Sequence, residues 1–214
     1  VERLSLFLHQ VDQGPEAAQA YYLRGSARLH QGDVGAGLAD LRNCINLDAD
    51  TEATWRAYVS VGMLRYEDGA WAEARDALAA AVARMPREAE SRPLVLYRQA
   101  ACCERTGRWG EAQRLFAQIV SEHRDSAAAE GARRRLALRA DHFAVQCGVF
   151  ADPGNAERMM AELRKKGFET HRREEPRGRS MVHVVLFGRF DNYTEMLRQL
   201  GAVRREIPGA VPWP

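Results

Sequence analysis

The sequence predicts two folds in succession: an α-helical solenoid, then an α+β domain with a four-stranded antiparallel sheet and two helices on one face. Two observations carry this. In the front of the chain, Gly32, Gly69 and Gly107 recur 37 and 38 residues apart, each between two helix-length segments. In the last third, strand-period and helix-period segments follow in the order β-α-β-β-α-β.

Around each glycine mark the sequence repeats itself. Gln31-Gly32-Asp33 precedes Leu38, Leu41, Cys44 and Ile45. Asp68-Gly69-Ala70-Trp71 precedes Ala74, Leu78, Ala81 and Val82, with Pro86 as a stop. Thr106-Gly107-Arg108-Trp109 precedes Ala112, Phe116, Ile119 and Val120. Upstream helices are predicted at Ala18–Gln31, Trp55–Glu67 and Leu94–Arg105. Small residues Gly25, Gly62 and Ala100 stand where neighbouring helices must touch. One helix pair cannot bury its own face, so pairs of this kind stack into a solenoid. A two-helix unit of about 34 residues resembles the tetratricopeptide repeat. These units are slightly longer, with the excess in linkers at Asp50–Thr54 and Arg87–Arg92. The expected division is a partial repeat at 1–17, repeats at about 18–51, 55–88 and 93–126, and a capping helix at 126–140. Phe7, Val11 and Pro15 sit where a preceding repeat would end its second helix, so the array is expected to extend upstream. The capping segment carries Arg133, Arg134, Arg135 and Arg139, a charged outer face that ends a stack.

From residue 141 to 214 the pattern changes. Phe143–Phe150 alternates as a strand, with Ala144, Gln146 and Gly148 opposite Phe143, Val145 and Cys147. Asp152-Pro153 is a helix start, Ala156, Met159, Met160 and Leu163 form an apolar stripe, and Gly167 closes the helix. Phe168–Glu175 and Met181–Phe187 read as a hairpin around Pro176-Arg177-Gly178-Arg179. Tyr193–Glu206 is a second helix, and Ala210–Trp213 a short last strand. Val145-Gln146-Cys147-Gly148-Val149-Phe150, Asn155-Ala156-Glu157 through Leu163, and Gly188-Arg189-Phe190 together resemble a SPOR domain. The resemblance implies a bacterial cell-envelope protein. It implies binding to peptidoglycan glycan strands, preferably those stripped of peptide stems. In some members the strand-one cysteine is bridged to the last strand; here the last strand has no cysteine to pair with Cys147.

Composition narrows the function classes. Charged residues are 28% of the 214 and the formal net charge is +2. That balance argues against nucleic-acid binding resting on bulk charge. The same sheet topology carries RNA-recognition motifs, but its central strands here lack the aromatics on which bases stack. No apolar run is long enough to span a membrane. The pattern is already under way at Val1, so an export signal or anchor is expected upstream and a periplasmic or envelope location follows from the resemblance. The four cysteines make no Cys-x-x-C, and the six histidines make no metal spacing. No nucleophile elbow, P-loop or dinucleotide fingerprint occurs. Neither catalysis nor a metal or cofactor is expected.

Two binding surfaces follow. A β-α-β-β-α-β sheet leaves one face open. Alternation places Ala144 and Gln146, then Glu169, His171 and Arg173, then Val182, Val184 and Leu186 on it. Gln146 matches a family ligand position, and its amide both donates and accepts. Arg173, Arg177 and Arg179 around the hairpin suit the lactyl carboxylates of stem-free glycan. Relative to the family, Val182 and Val184 replace an aromatic and an arginine. An apolar strip of Val182, Val184 and Leu186 should not stay exposed. A cover from the capping-helix region, or self-association through sheet faces, is expected. The second surface is the concave side of the solenoid, with Tyr22, Ser26 and Leu29, then Arg56, Val59, Met63 and Tyr66, then Leu94, Tyr97 and Ala101. An amphipathic helix or extended apolar peptide suits such a groove; packing against a neighbouring helix accounts for the residues equally. Two functions stand: a wall-binding protein whose repeats recruit a protein partner, or an assembly scaffold whose sheet face has become a packing surface.

Overall fold

A computed structural model describes all residues 1–214. Ten helices and four strands make up the chain, and no strand precedes the eighth helix. The helices of the solenoid are α1 (Glu2–Leu8), α2 (Gly14–His30), α3 (Val34–Asn46), α4 (Glu52–Glu67), α5 (Trp71–Arg84), α6 (Arg92–Arg105), α7 (Trp109–Glu122) and α8 (Ala127–Leu138). Then come β1 (Phe143–Phe150), α9 (Pro153–Lys165), β2 (Thr170–Arg177), β3 (Ser180–Phe190), α10 (Tyr193–Glu206) and β4 (Val211–Trp213).

Local chemistry sets the boundaries. Gly32, Gly69 and Gly107 close the first helix of each pair with φ of +83°, +76° and +76°, a region open to glycine at no steric cost. Asp33, Thr51 and Ser126 cap α3, α4 and α8 by accepting backbone N–H bonds. Pro15 lies in the first turn of α2 rather than at the end of an earlier helix, because the missing N–H of proline costs nothing there. Helix pairs close tightly at their glycines: a Cβ on Gly62 would lie 2.7 Å from the Leu78 side chain, and one on Gly25 2.9 Å from the Gly37 carbonyl. The buried clusters then step along the solenoid, from Leu41–Cys44 through Leu78–Ala81 to Phe116–Ile119. Asp40, buried in α3, holds Arg24 and Arg28 of α2 at 2.7 Å each.

The sheet order is β2-β3-β1-β4, all antiparallel neighbours. Both helices cover one face, where Phe143, Val145, Met160, Val185, Met196 and Val203 make the core. No helix is long and apolar enough to cross a membrane.

Candidate functional site

Register decides what the other sheet face presents. Gln146 pairs with Leu186, Gly148 with Val185 and Val149 with Val184, so a bulge inserts one residue in β1 between Gln146 and Gly148. Simple alternation, which puts Gly148 beside Gln146, fails at that point. Gly148 instead faces the helices, where an added Cβ would stand 2.9 Å from the Met159 sulfur. Val149 joins Val184 on the open side. A second irregularity lies at Gly188 of β3, with φ +74° and the Phe190 ring folded over it. No side chain fits there, which explains the glycine of the Gly188-Arg189-Phe190 segment.

The open face is filled by the chain itself. Trp213 on β4 is 4% exposed and lies with Ala140, Ala144, Val184 and Leu186 in a second apolar cluster. Its indole N–H donates to Glu175 Oε1 at 2.8 Å. The Arg173 guanidinium stands 4.9 Å from the Trp213 ring and donates to the Leu138 carbonyl at the end of α8. Of the residues expected to meet glycan, Val184 and Leu186 are fully buried and therefore offer no surface. Arg173 is committed to the ring, to Leu138 and to Glu175, 3.5 Å away. The expected cover thus comes from the end of the capping helix, with Trp213 added.

What stays accessible is the rim. Gln146 and His171 flank buried Leu186 on either side and are both partly exposed, as is Val182. His171 titrates below the ordinary histidine value, first because it is partly buried and then because His142, Arg189 and Arg173 lie near. Its ring is 5.9 Å from that of His142, which in turn touches Asp141 at 2.6 Å. Arg177 and Arg179 are exposed at the hairpin tip, beside Gly178 at φ +63°.

In the solenoid the ten groove residues differ in how far they are buried. Tyr22 and Leu29 pack on the Leu41–Cys44 cluster, and Val59, Met63 and Tyr66 on the Leu78 cluster. Tyr97 meets Phe116 at 5.4 Å and lies over Gly131 of α8. Ser26 is half-buried, and Ala101 is buried. Apart from buried Ala101, these side chains rest partly buried against the helix-pair cores and keep part of their surface accessible. Arg56 and exposed Leu94 alone among the ten line a cleft of about 950 Å³.

A third surface was not foreseen. Trp71 and Trp109 begin the second helices of successive repeats, and both reach the sheet domain. Trp109 packs on Phe143 at 4.7 Å, and Trp71 meets Tyr193 edge-on at 6.1 Å. Arg105 lies between Trp71 and Tyr193, 4.2 and 4.3 Å from the two rings. Gln113 donates to the Ala140 carbonyl at 3.5 Å. The tight-turn edge of the solenoid is therefore the docking edge for the second domain.

Comparison with known proteins agrees with this geometry. Residues 139–213 match the SPOR domain model, and residues 94–126 match a tetratricopeptide repeat model. A Podosopora anserina protein of nearly identical TPR-like repeats, described as a kinesin light chain, superposes with a TM-score of 0.51 at 15% identity. That match covers 76% of this chain and 79% of that one. The N-terminal domain of stress-induced protein-1 from C. elegans gives 0.47 at 19% identity, over 56% of this chain and 94% of that one. The former likeness concerns the fold alone. No curated protein matches the chain. Two independent family models, the repeat geometry and the bulged β-α-β-β-α-β sheet agree: the chain carries a SPOR domain behind a tetratricopeptide-repeat solenoid.

Proposed function

We propose that this is a non-catalytic adaptor of the bacterial cell envelope, exposed to the periplasm. Its SPOR domain, from about residue 141, docks on peptidoglycan glycan strands, preferably stem-free ones. Its repeat array, up to about residue 140, recruits a protein partner, as in cell division or envelope assembly. SPOR domains are wall-binding modules and tetratricopeptide repeats are protein-binding ones. The observation that carries the reading is the SPOR match over 139–213, with Gln146 partly exposed on the open side of the sheet. Because Trp213 fills the middle of that face, glycan contact falls to the rim: Gln146, His171, Val182 and the hairpin residues Arg177 and Arg179. A guanidinium grips a carboxylate with two hydrogen bonds, and the amide of Gln146 serves N-acetyl and hydroxyl groups.

A second reading has its own observation. The buried Trp213–Glu175 hydrogen bond and the buried Val184 and Leu186 make the face a packing surface, as in a pure assembly scaffold. Co-sedimentation with purified sacculi, untreated and amidase-treated, decides between them. Retention that rises on amidase treatment supports wall docking. Absence from both pellets leaves the scaffold.

A further inference from the structure

The solenoid has two edges, and only one is occupied. Trp71, Arg105 and Trp109 at the tight turns hold the SPOR domain. The opposite edge, where linkers join the repeats, is open. There the 950 Å³ cleft between the starts of α4 and α6 meets a second hollow of about 560 Å³ between α1, α2 and α4, and Thr51 and Glu52 line both. The two make one trough crossing three repeats.

Apolar side chains stand exposed along the trough among polar ones, and the Arg56 guanidinium lies 5.4 Å over the Trp55 ring. Phe7, Leu23 and Leu94 are 37%, 44% and 50% exposed, with Trp55 between them. The rim is acidic. Its two arginines are already neutralised: Arg56 pairs with Glu52 at 2.6 Å and Arg84 with Asp48 at 3.3 Å. Glu16, Asp50, Glu88 and Glu90 line the same hollows and join no ion pair. Exposed apolar side chains beside unpaired carboxylates are complementary to a cationic amphipathic chain.

We infer that this trough docks an extended segment of a partner protein in which bulky apolar residues alternate with lysine or arginine. Alternate side chains of such a segment reach the exposed apolar ones, and the intervening cations meet the rim. The inference rests on the partner-recruiting role proposed for the solenoid and specifies the partner's chemistry. Geometry favours simultaneous use of both edges. The 16 residues of α4 separate trough and SPOR domain by about 24 Å, so a partner held there leaves the sheet rim free.

The test uses the full chain and two labelled synthetic peptides, one alternating leucine with lysine and one alternating leucine with glutamate, read by fluorescence anisotropy. The lysine peptide is expected to bind, more weakly as salt rises, and the glutamate peptide not. Glu88→Lys with Glu90→Lys is expected to weaken binding about tenfold. Leu94→Ala should weaken it too, whereas Glu130→Lys, on α8 away from the trough, should not. Equal binding of both peptides, or equal loss in Glu130→Lys, overturns the inference. Preference for the glutamate peptide overturns it while leaving the recruiting role intact. Binding of neither peptide overturns the inference and leaves the recruiting role to a partner of other chemistry.

Discussion

Trp213 donates its indole N–H to Glu175, a buried carboxylate on the opposite edge strand of the sheet. One hydrogen bond thus ties β4 to β2 across the sheet face opposite the two helices. Trp213→Ala would remove the ring from the second apolar cluster and strand Glu175 beside Arg173. A loss of about 3–5 kcal/mol is expected from the cavity. Trp213→Phe keeps most of the packing and should cost less, about 1–3 kcal/mol from the unpaired acceptor. Urea titrations of both variants check the order; equal, small losses would show that the ring is not part of the core.

Arg105 is the joint between the domains. Its guanidinium sits between Trp71 and Tyr193, and each such contact contributes about 0.5–1 kcal/mol at an exposed site and about 2 kcal/mol when desolvated. Arg105→Ala should loosen the SPOR domain from the solenoid without unfolding either part. Faster cleavage near residues 139–142 and a larger radius of gyration in solution scattering are expected. An unchanged cleavage pattern would mean that Trp109 on Phe143 suffices.

Val184→Arg tests the covered face. Val184 has no exposed surface, and its cover comes from the same chain. The variant should be destabilised on the order of several kcal/mol, because a charge enters an apolar cluster. Light scattering should find the unmodified protein monomeric. A tolerated arginine with improved glycan retention would mean that the face opens.

Much of this was legible in the sequence, for identifiable reasons. Gly32, Gly69 and Gly107 mark turns that only a left-handed residue makes cheaply, so the repeat period survives in the composition. The apolar stripe Met196, Leu197, Leu200 and Val203 marks α10; three of the four face the core, whereas Leu197 lies at the edge of the stripe and stays exposed. The site was less legible. Val149 changes face through a bulge, and one extra residue leaves no mark in an apolar strand. Trp213, one residue from the end of the sequence, shows no period by which to place it. Trp71 and Trp109 stand at equivalent repeat positions, a signal that pointed to the repeat but not to the second domain they contact. The tyrosines of the solenoid are partly buried against the helix-pair cores, a detail periodicity does not report, because it shows which side chains share a helix face and not how closely the next helix approaches.

His171 gives a pH dependence with a definite sign. Its folded value is depressed below the unfolded 6.5, mainly by burial. The folded protein therefore binds fewer protons than the unfolded chain in that window. The stability contribution is present above 6.5 and is lost as pH falls through that value toward the folded one. Melting temperatures across this range should drop less in His171→Gln than in the parent. Parallel curves would show that His171 is solvated like a free histidine.

The role of the rim is tested most directly by retention on amidase-treated sacculi of the unmodified protein and Gln146→Ala side by side, with melting temperatures measured on both. Clear retention of the first, reduced retention of the second and equal melting temperatures are expected. Failure of the unmodified protein to sediment with the sacculi would contradict wall docking by this SPOR domain.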